Sequence, residues 1–75
     1  MKLRQCGANQ TELTYGNGNV IFFSYETPVA ACVDGEYVRT SEYYSRTTTR
    51  HINSWLEYVK AKEVTQDSID ALLND

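Results

Sequence analysis

With 75 residues, 41% of them hydrophobic, and a net charge of −3, the chain can form one small core and little else. The mild acidity argues against non-specific attachment to a nucleic-acid backbone, which needs a basic excess. It is also too slight for the dense rows of carboxylates that would imitate such a backbone. The apolar runs Val20 to Phe23 and Val29 to Val33 are too short to span a bilayer or to serve as a signal core, so the expectation is a soluble cytoplasmic protein with no membrane partner.

Two cysteines, Cys6 and Cys32, could close at most one bridge. With no leader ahead of them, a reducing compartment is the simpler reading, and Cys32 reads as a small core residue. Six of the aromatic side chains are tyrosines. Their apolar body and polar tip suit half-buried sheet faces and interfaces better than a deep core.

The first half of the chain reads as strands joined by tight turns. Met1 to Cys6 forms a short strand, Gly7 to Gln10 a turn, and Thr11 to Tyr15 a second strand. Gly16-Asn17-Gly18 then supplies the positive φ angles of a hairpin, and Asn19 to Tyr25 returns. Two registers are open. A two-residue Asn17-Gly18 turn sets Leu13 opposite Phe22, whereas a three-residue loop sets it opposite Ile21 and flips the faces. Apolar residues at Val20, Ile21, Phe22 and Phe23 fall on both sides, which marks a central strand covered on both faces.

Glu26-Thr27-Pro28 breaks the ladder, because Pro28 has no N–H to donate. Val29 to Val33 is a strand of small residues, and Asp34-Gly35 turns it back. A two-residue turn pairs Val33 with Glu36, Cys32 with Tyr37, Ala31 with Val38 and Ala30 with Arg39. Val29, Ala31, Val33 and Val38 then line the core side. Ala30, Cys32, Tyr37 and Arg39 form either a shallow recess or, as the favoured reading, a seat for a helix. The polar and aromatic stretch Thr40 to Arg46 prolongs the last strand through Tyr43 and Tyr44.

The best helical pattern lies at Thr47 to Val59, capped by Thr47, Thr48 or Thr49. Ile52, Trp55, Leu56 and Val59 make its buried stripe, with Leu13, Ile21 and Phe23 as core partners from the sheet. The tail begins with an N-cap at Thr65 and a hydrophobic staple between Val64 and Ile69. Ile69, Leu72 and Leu73 give it an apolar stripe. So short a helix must dock, either on its own sheet or on a second subunit in a homodimer.

Catalysis would need a base or a carboxylate pair held in a pocket. His51 is the only candidate base, and a lone histidine beside an apolar stripe reads first as a packed or hydrogen-bonded structural residue. One histidine and two distant cysteines do not make a metal site, and no glycine-rich segment has phosphate-loop spacing. No catalytic residue, cofactor or metal is expected. One cluster combines arginine, stackable rings and a helix start: Arg39, Tyr43, Tyr44, Arg46, Arg50 and His51, interleaved with Thr47, Thr48 and Thr49. Such groups can hold an anion or single-stranded nucleic acid. The plainer reading is a solvated corner whose arginines pair with Glu36, Glu42 or Glu57.

Three segments carry a resemblance: FSYETPVAA at residues 23–31, DGEY at 34–37, and YSRTTTRHINSWL at 44–56. Over about residues 10 to 56 they resemble a family of very short, uncharacterised bacteriophage proteins with the pattern FSYxTPVAA followed by TTxRHINxWL. The resemblance implies no activity and no catalytic residues. What it implies is a phage gene expressed in the cytoplasm of an infected bacterium, and small phage proteins of this kind often bind a host protein.

The expectation is therefore a single α+β domain. An antiparallel sheet of four or five strands occupies residues 1–46, and residues 47–75 supply one amphipathic helix packed on it and a short C-terminal helix. The expected role is non-enzymatic binding of a host protein as an inhibitor or adaptor. The alternative is binding of nucleic acid or a phosphorylated small molecule at the Arg/Tyr/His corner.

Overall fold

The computed structural model describes residues 2–57 and 59–73. Met1, included in the expected first strand, lies outside them. The fold is a mixed α+β one, with a single six-stranded sheet whose strands lie side by side in chain order. Strands β1 (Lys2–Gly7), β2 (Gln10–Thr14), β3 (Val20–Ser24), β4 (Thr27–Val33) and β5 (Glu36–Thr40) make an antiparallel meander. Helix α1 (Arg46–Leu56) then crosses over to β6 (Lys62–Val64), which runs parallel to β5, and α2 (Gln66–Leu72) follows.

The sixth strand exceeds the expected four or five and falls within the portion expected to be helical. Its three residues, KEV, hold one apolar side chain and show no alternation of their own. Their pairing depends on α1 returning the chain beside β5, the kind of crossover that a parallel pair requires. The Ser41 N–H donates to the Val64 carbonyl at 2.8 Å and ends the β5 ladder there. Tyr43 and Tyr44 are consequently outside the sheet, contrary to the expected extension of the last strand.

At the first central hairpin the chain adopts the three-residue loop. Leu13 faces Ile21 and Thr14 faces Val20, and the Tyr15 N–H donates to the Asn19 carbonyl at 2.8 Å. The Asp34-Gly35 hairpin has the expected register, from Val33 against Glu36 to Ala30 against Arg39.

Between these hairpins the expected break at Pro28 is absent, and β4 starts at Thr27. The turn is Tyr25-Glu26, with Tyr25 at φ 58° and its N–H donating to the Asn9 carbonyl at 2.7 Å. Pro28 pairs with Phe23 and Ala30 with Phe22, so Val29 is the extra residue of a bulge. A bulge interrupts the ladder locally, which accommodates a residue that cannot donate. It also places Val29 with Ala30 in the cluster beneath α1.

The two faces are sealed differently. On one, Phe22, Val29 and Ala30 pack with Ile52 and Leu56 of α1, flanked by Tyr37, Trp55 and Ala61. On the other, Ile21 sits opposite Ala31, and α2 packs across β4 and β5 with Ile69 fully buried. Phe22 and Ala30 are buried beneath α1, in keeping with a strand covered on both faces and a helix seat at Ala30, and Ile69 is buried under α2. Leu13, Phe23, Val38 and Trp55 are half-buried. Val59 is 43% exposed, because α1 ends at Leu56, where Glu57 takes the left-handed conformation at φ 48° and leaves the stripe unfinished.

Helix α1 is capped two residues before the first of the three threonines. The Ser45 side chain accepts from the Thr48 N–H at 3.0 Å and is the N-cap, while Thr48 itself is buried. The Thr65 hydroxyl accepts from the Ser68 N–H at the start of α2, and the Gln66 side-chain amide donates to the Pro28 carbonyl at 2.7 Å. Of the two expected docking places for this helix, its own sheet or a second subunit, Ile69 takes the chain's own sheet. Ile69→Ala is expected to remove about 2–5 kcal/mol of stability. Urea unfolding followed by circular dichroism checks this, and an unchanged midpoint would mean that α2 does not hold the sheet.

Candidate binding surfaces on the two flanks of helix α1

Residues three and four apart share a helix flank, and the contacts of α1 show which flank faces which strands. His51 and Trp55 lie toward β3 and β2: His51 bonds to Ser24, and the Trp55 Nε1–H donates to Glu12 Oε2 at 2.9 Å. Arg46, Arg50 and Asn53 take the opposite flank, where Arg39 on β5 donates through Nη1 to Asn53 Oδ1 at 3.0 Å. The six residues expected to form one corner are therefore divided. Arg39 meets α1 at Asn53, Arg46 and Arg50 are exposed on the helix, Tyr43 and Tyr44 lie in the loop that leads into it, and His51 turns to Ser24 of β3.

On the basic flank Arg46 and Arg50 are exposed, and the tyrosines before them are 72% and 44% exposed. The expected pairing of arginines with Glu36, Glu42 or Glu57 does not form. Among the described residues one ion pair is present, Arg4 with Glu12 at 3.9 Å. The first turn of α1 also carries no acidic residue. The Tyr44 hydroxyl is pushed above the usual tyrosine range by desolvation, then by the negative charges of Glu42 and Asp70. It stays protonated and able to donate.

His51 is hydrogen-bonded within the fold in this geometry. Its Nδ1 lies 2.8 Å from Ser24 Oγ, which is 3.1 Å from the Thr48 hydroxyl, and the Tyr25 ring centroid is 5.8 Å from the imidazole. A serine at hydrogen-bond distance from a histidine has the spacing of a nucleophile and its base. Here the serine is 1% exposed, so the hydroxyl is closed to a substrate and instead ties α1 to β3.

The other flank holds a feature that sequence reasoning missed. Trp55 stacks on Phe22 with ring centroids 5.0 Å apart and meets Tyr37 edge-on at 5.9 Å. Beside it lies a cleft of about 420 Å³ lined by Arg4, Cys6, Glu12, Cys32, Tyr37 and Glu57 together with the indole. Glu12 and Trp55 are 43 positions apart, and nothing in the local pattern of either announces the other. Both cysteines line the cleft as free thiols. Partial burial pushes the Cys6 thiol up from its ordinary value, and the Glu12 carboxylate adds to the rise by hydrogen bonding and by charge, while Arg4 opposes it. Among the described residues no three histidine, cysteine or acidic side chains are grouped to hold a metal ion, and no helix is long and apolar enough to cross a membrane.

These features define a small α+β protein whose polar chemistry is set out along the two sides of one helix. The chain belongs to a family of unknown function, DUF8033, which matches residues 1–71 and so takes in β1, β6 and nearly all of α2. No curated protein and no solved structure matches it.

A raised thiol pKa means less thiolate at a given pH and slower alkylation. In a Cys32→Ala background, Cys6 should react with iodoacetamide more slowly near neutral pH than an unperturbed cysteine. Glu12→Gln removes the neighbouring charge and should speed the reaction, while Arg4→Gln should slow it further. Equal rates in all three proteins would show that the carboxylate does not govern the thiol.

Proposed function

We propose that this is a small non-enzymatic protein that acts by binding another protein, with Tyr43 and Tyr44 as anchors and Arg39, Arg46 and Arg50 beside them. One observation carries the reading: two adjacent tyrosines stand exposed in the loop leading into α1, whose Arg46 and Arg50 form no ion pair among the described residues. Tyrosine and arginine are the residues most enriched where interfaces concentrate their energy, because each offers a large rigid surface with polar donors at its edge. The burial of Ser24 behind His51 supports a binding role over catalysis. The resemblance to short bacteriophage proteins supplies the setting, an infected bacterial cytoplasm, with a host protein as the target to be blocked or redirected.

A second reading has its own support. Two arginines without acidic partners among the described residues, Arg46 in the first turn of α1 and Arg50 in the next, at a helix start without a carboxylate in its first turn, suit a phosphate group of nucleic acid or of a phosphorylated small molecule. The net charge of −3 weighs against it.

A pull-down of the tagged protein from bacterial lysate, with and without nuclease, separates the two. The proposal expects a specific protein retained after nuclease treatment. Tyr43→Ala or Tyr44→Ala should then weaken its binding by roughly ten-fold or more. Recovery of nucleic acid that washes off at moderate salt, and is lost with Arg46→Ala or Arg50→Ala, would favour the second reading. Insensitivity to all four substitutions would remove this surface from either role.

A further inference from the structure

The cleft on the other flank of α1 is built from different chemistry. We propose that it receives the guanidinium group of an arginine side chain presented by a partner protein, on a surface separate from Tyr43 and Tyr44. Glu12 is the centre of the site. Its side chain is only 20% exposed, and Oε2 is fixed by the indole N–H at 2.9 Å. The other oxygen, Oε1, has Arg4 at 3.9 Å, beyond hydrogen-bond reach. A carboxylate held in place by one oxygen, with only the weak donor of the Cys6 thiol and a distant guanidinium near it besides, is half of a charge-assisted pair that a strong donor would complete.

Three further features agree in sign. Glu57 lines the same cleft at the C-terminal end of α1, where the helix dipole is negative and the last turn carries no basic residue. Trp55 and Tyr37 contribute aromatic rings, and indole is the ring that attracts a cation most strongly. Guanidinium is favoured over ammonium because it is planar, weakly hydrated and able to stack on a ring while donating to a carboxylate in the same plane. The resident cation does not fill this role. Arg4 is 74% exposed and too far from Glu12 for a hydrogen bond, so it is a loosely held competitor that an incoming arginine displaces.

Trp55 is the chain's single tryptophan, so its indole N–H gives one unambiguous resonance that reports directly on Glu12. The test is titration of the labelled protein with N-acetyl-arginine amide, with the neutral isostere N-acetyl-citrulline amide as control. The expected result is a saturable shift with the arginine compound and none with citrulline. Glu12→Gln should weaken the interaction by roughly ten-fold or more, and Arg4→Gln should strengthen it. No shift with arginine, an equal shift with citrulline, or an affinity untouched by Glu12→Gln in a folded protein overturns the proposal. If Glu12→Gln does not fold, Glu57→Gln decides, because this exposed residue should still weaken binding by about two- to three-fold, and an unchanged affinity overturns the site. Tyr43→Ala should leave the titration unaltered, which keeps this result distinct from the fate of the tyrosine surface.

Discussion

Ile21 and Phe22 are neighbours in β3, so their side chains leave the sheet on opposite sides, and both are sealed from water. That double burial is the constraint to which the rest of the structure answers. Ala30 and Ala31 repeat it one strand over, so the middle of the sheet needs a cover on each face. Each helix supplies one. Helix α1 lays Ile52 and Leu56 on Phe22 and Ala30, and α2 lays Ile69 on the side of Ile21 and Ala31. The small alanines matter because they let the helix backbones come close. A chain of this size has no third cover to offer, and Leu3 on β1 is left 69% exposed.

The same economy arranges the polar chemistry. Because α1 crosses the middle of one face, its two flanks look toward different strands. Toward β5 stands Arg39, and the flank of α1 that meets it carries Arg46, Arg50 and Asn53. Toward β2 stands Glu12, and the facing flank carries Trp55. The Trp55–Glu12 contact thus lies on one side of the helix and the Arg39–Asn53 contact on the other, and Thr48 and His51, joined through the buried Ser24 hydroxyl, hold it at that position. A shift of α1 along the sheet would have to break this polar contact inside the packed layer, which fixes the spacing of both surfaces.

The bulge at Val29 joins these two levels. Pro28 can stay in a paired strand only where a ladder bond is not demanded, and the extra residue beside it brings Val29 up under α1 with Ala30. A proline that reads as a strand breaker instead shapes the seat of the helix. Its carbonyl, which has no such handicap, accepts from the Gln66 side chain and ties α2 to the same strand.

Much of this was written locally. Asp34-Gly35 determined its hairpin because only a few residue types accept the left-handed angles found there, φ 52° and 83°. The spacing of Ile52 and Leu56 determined which face of α1 is buried, and Thr65 determined where α2 begins. The tyrosines and arginines near residues 39–50 could be read as a possible surface because they cluster in the chain itself. What local pattern did not hold was anything decided by distant partners. Strand β6 exists because a helix returns the chain beside β5, the register of the β2–β3 hairpin was left open by its turn residues, and His51 left its expected corner for a serine 27 positions away. The contact of Glu12 with Trp55 is of this kind as well. A hydrogen bond across 43 residues leaves no periodicity in either segment, so only the folded sheet, with α1 laid over it, makes the cleft.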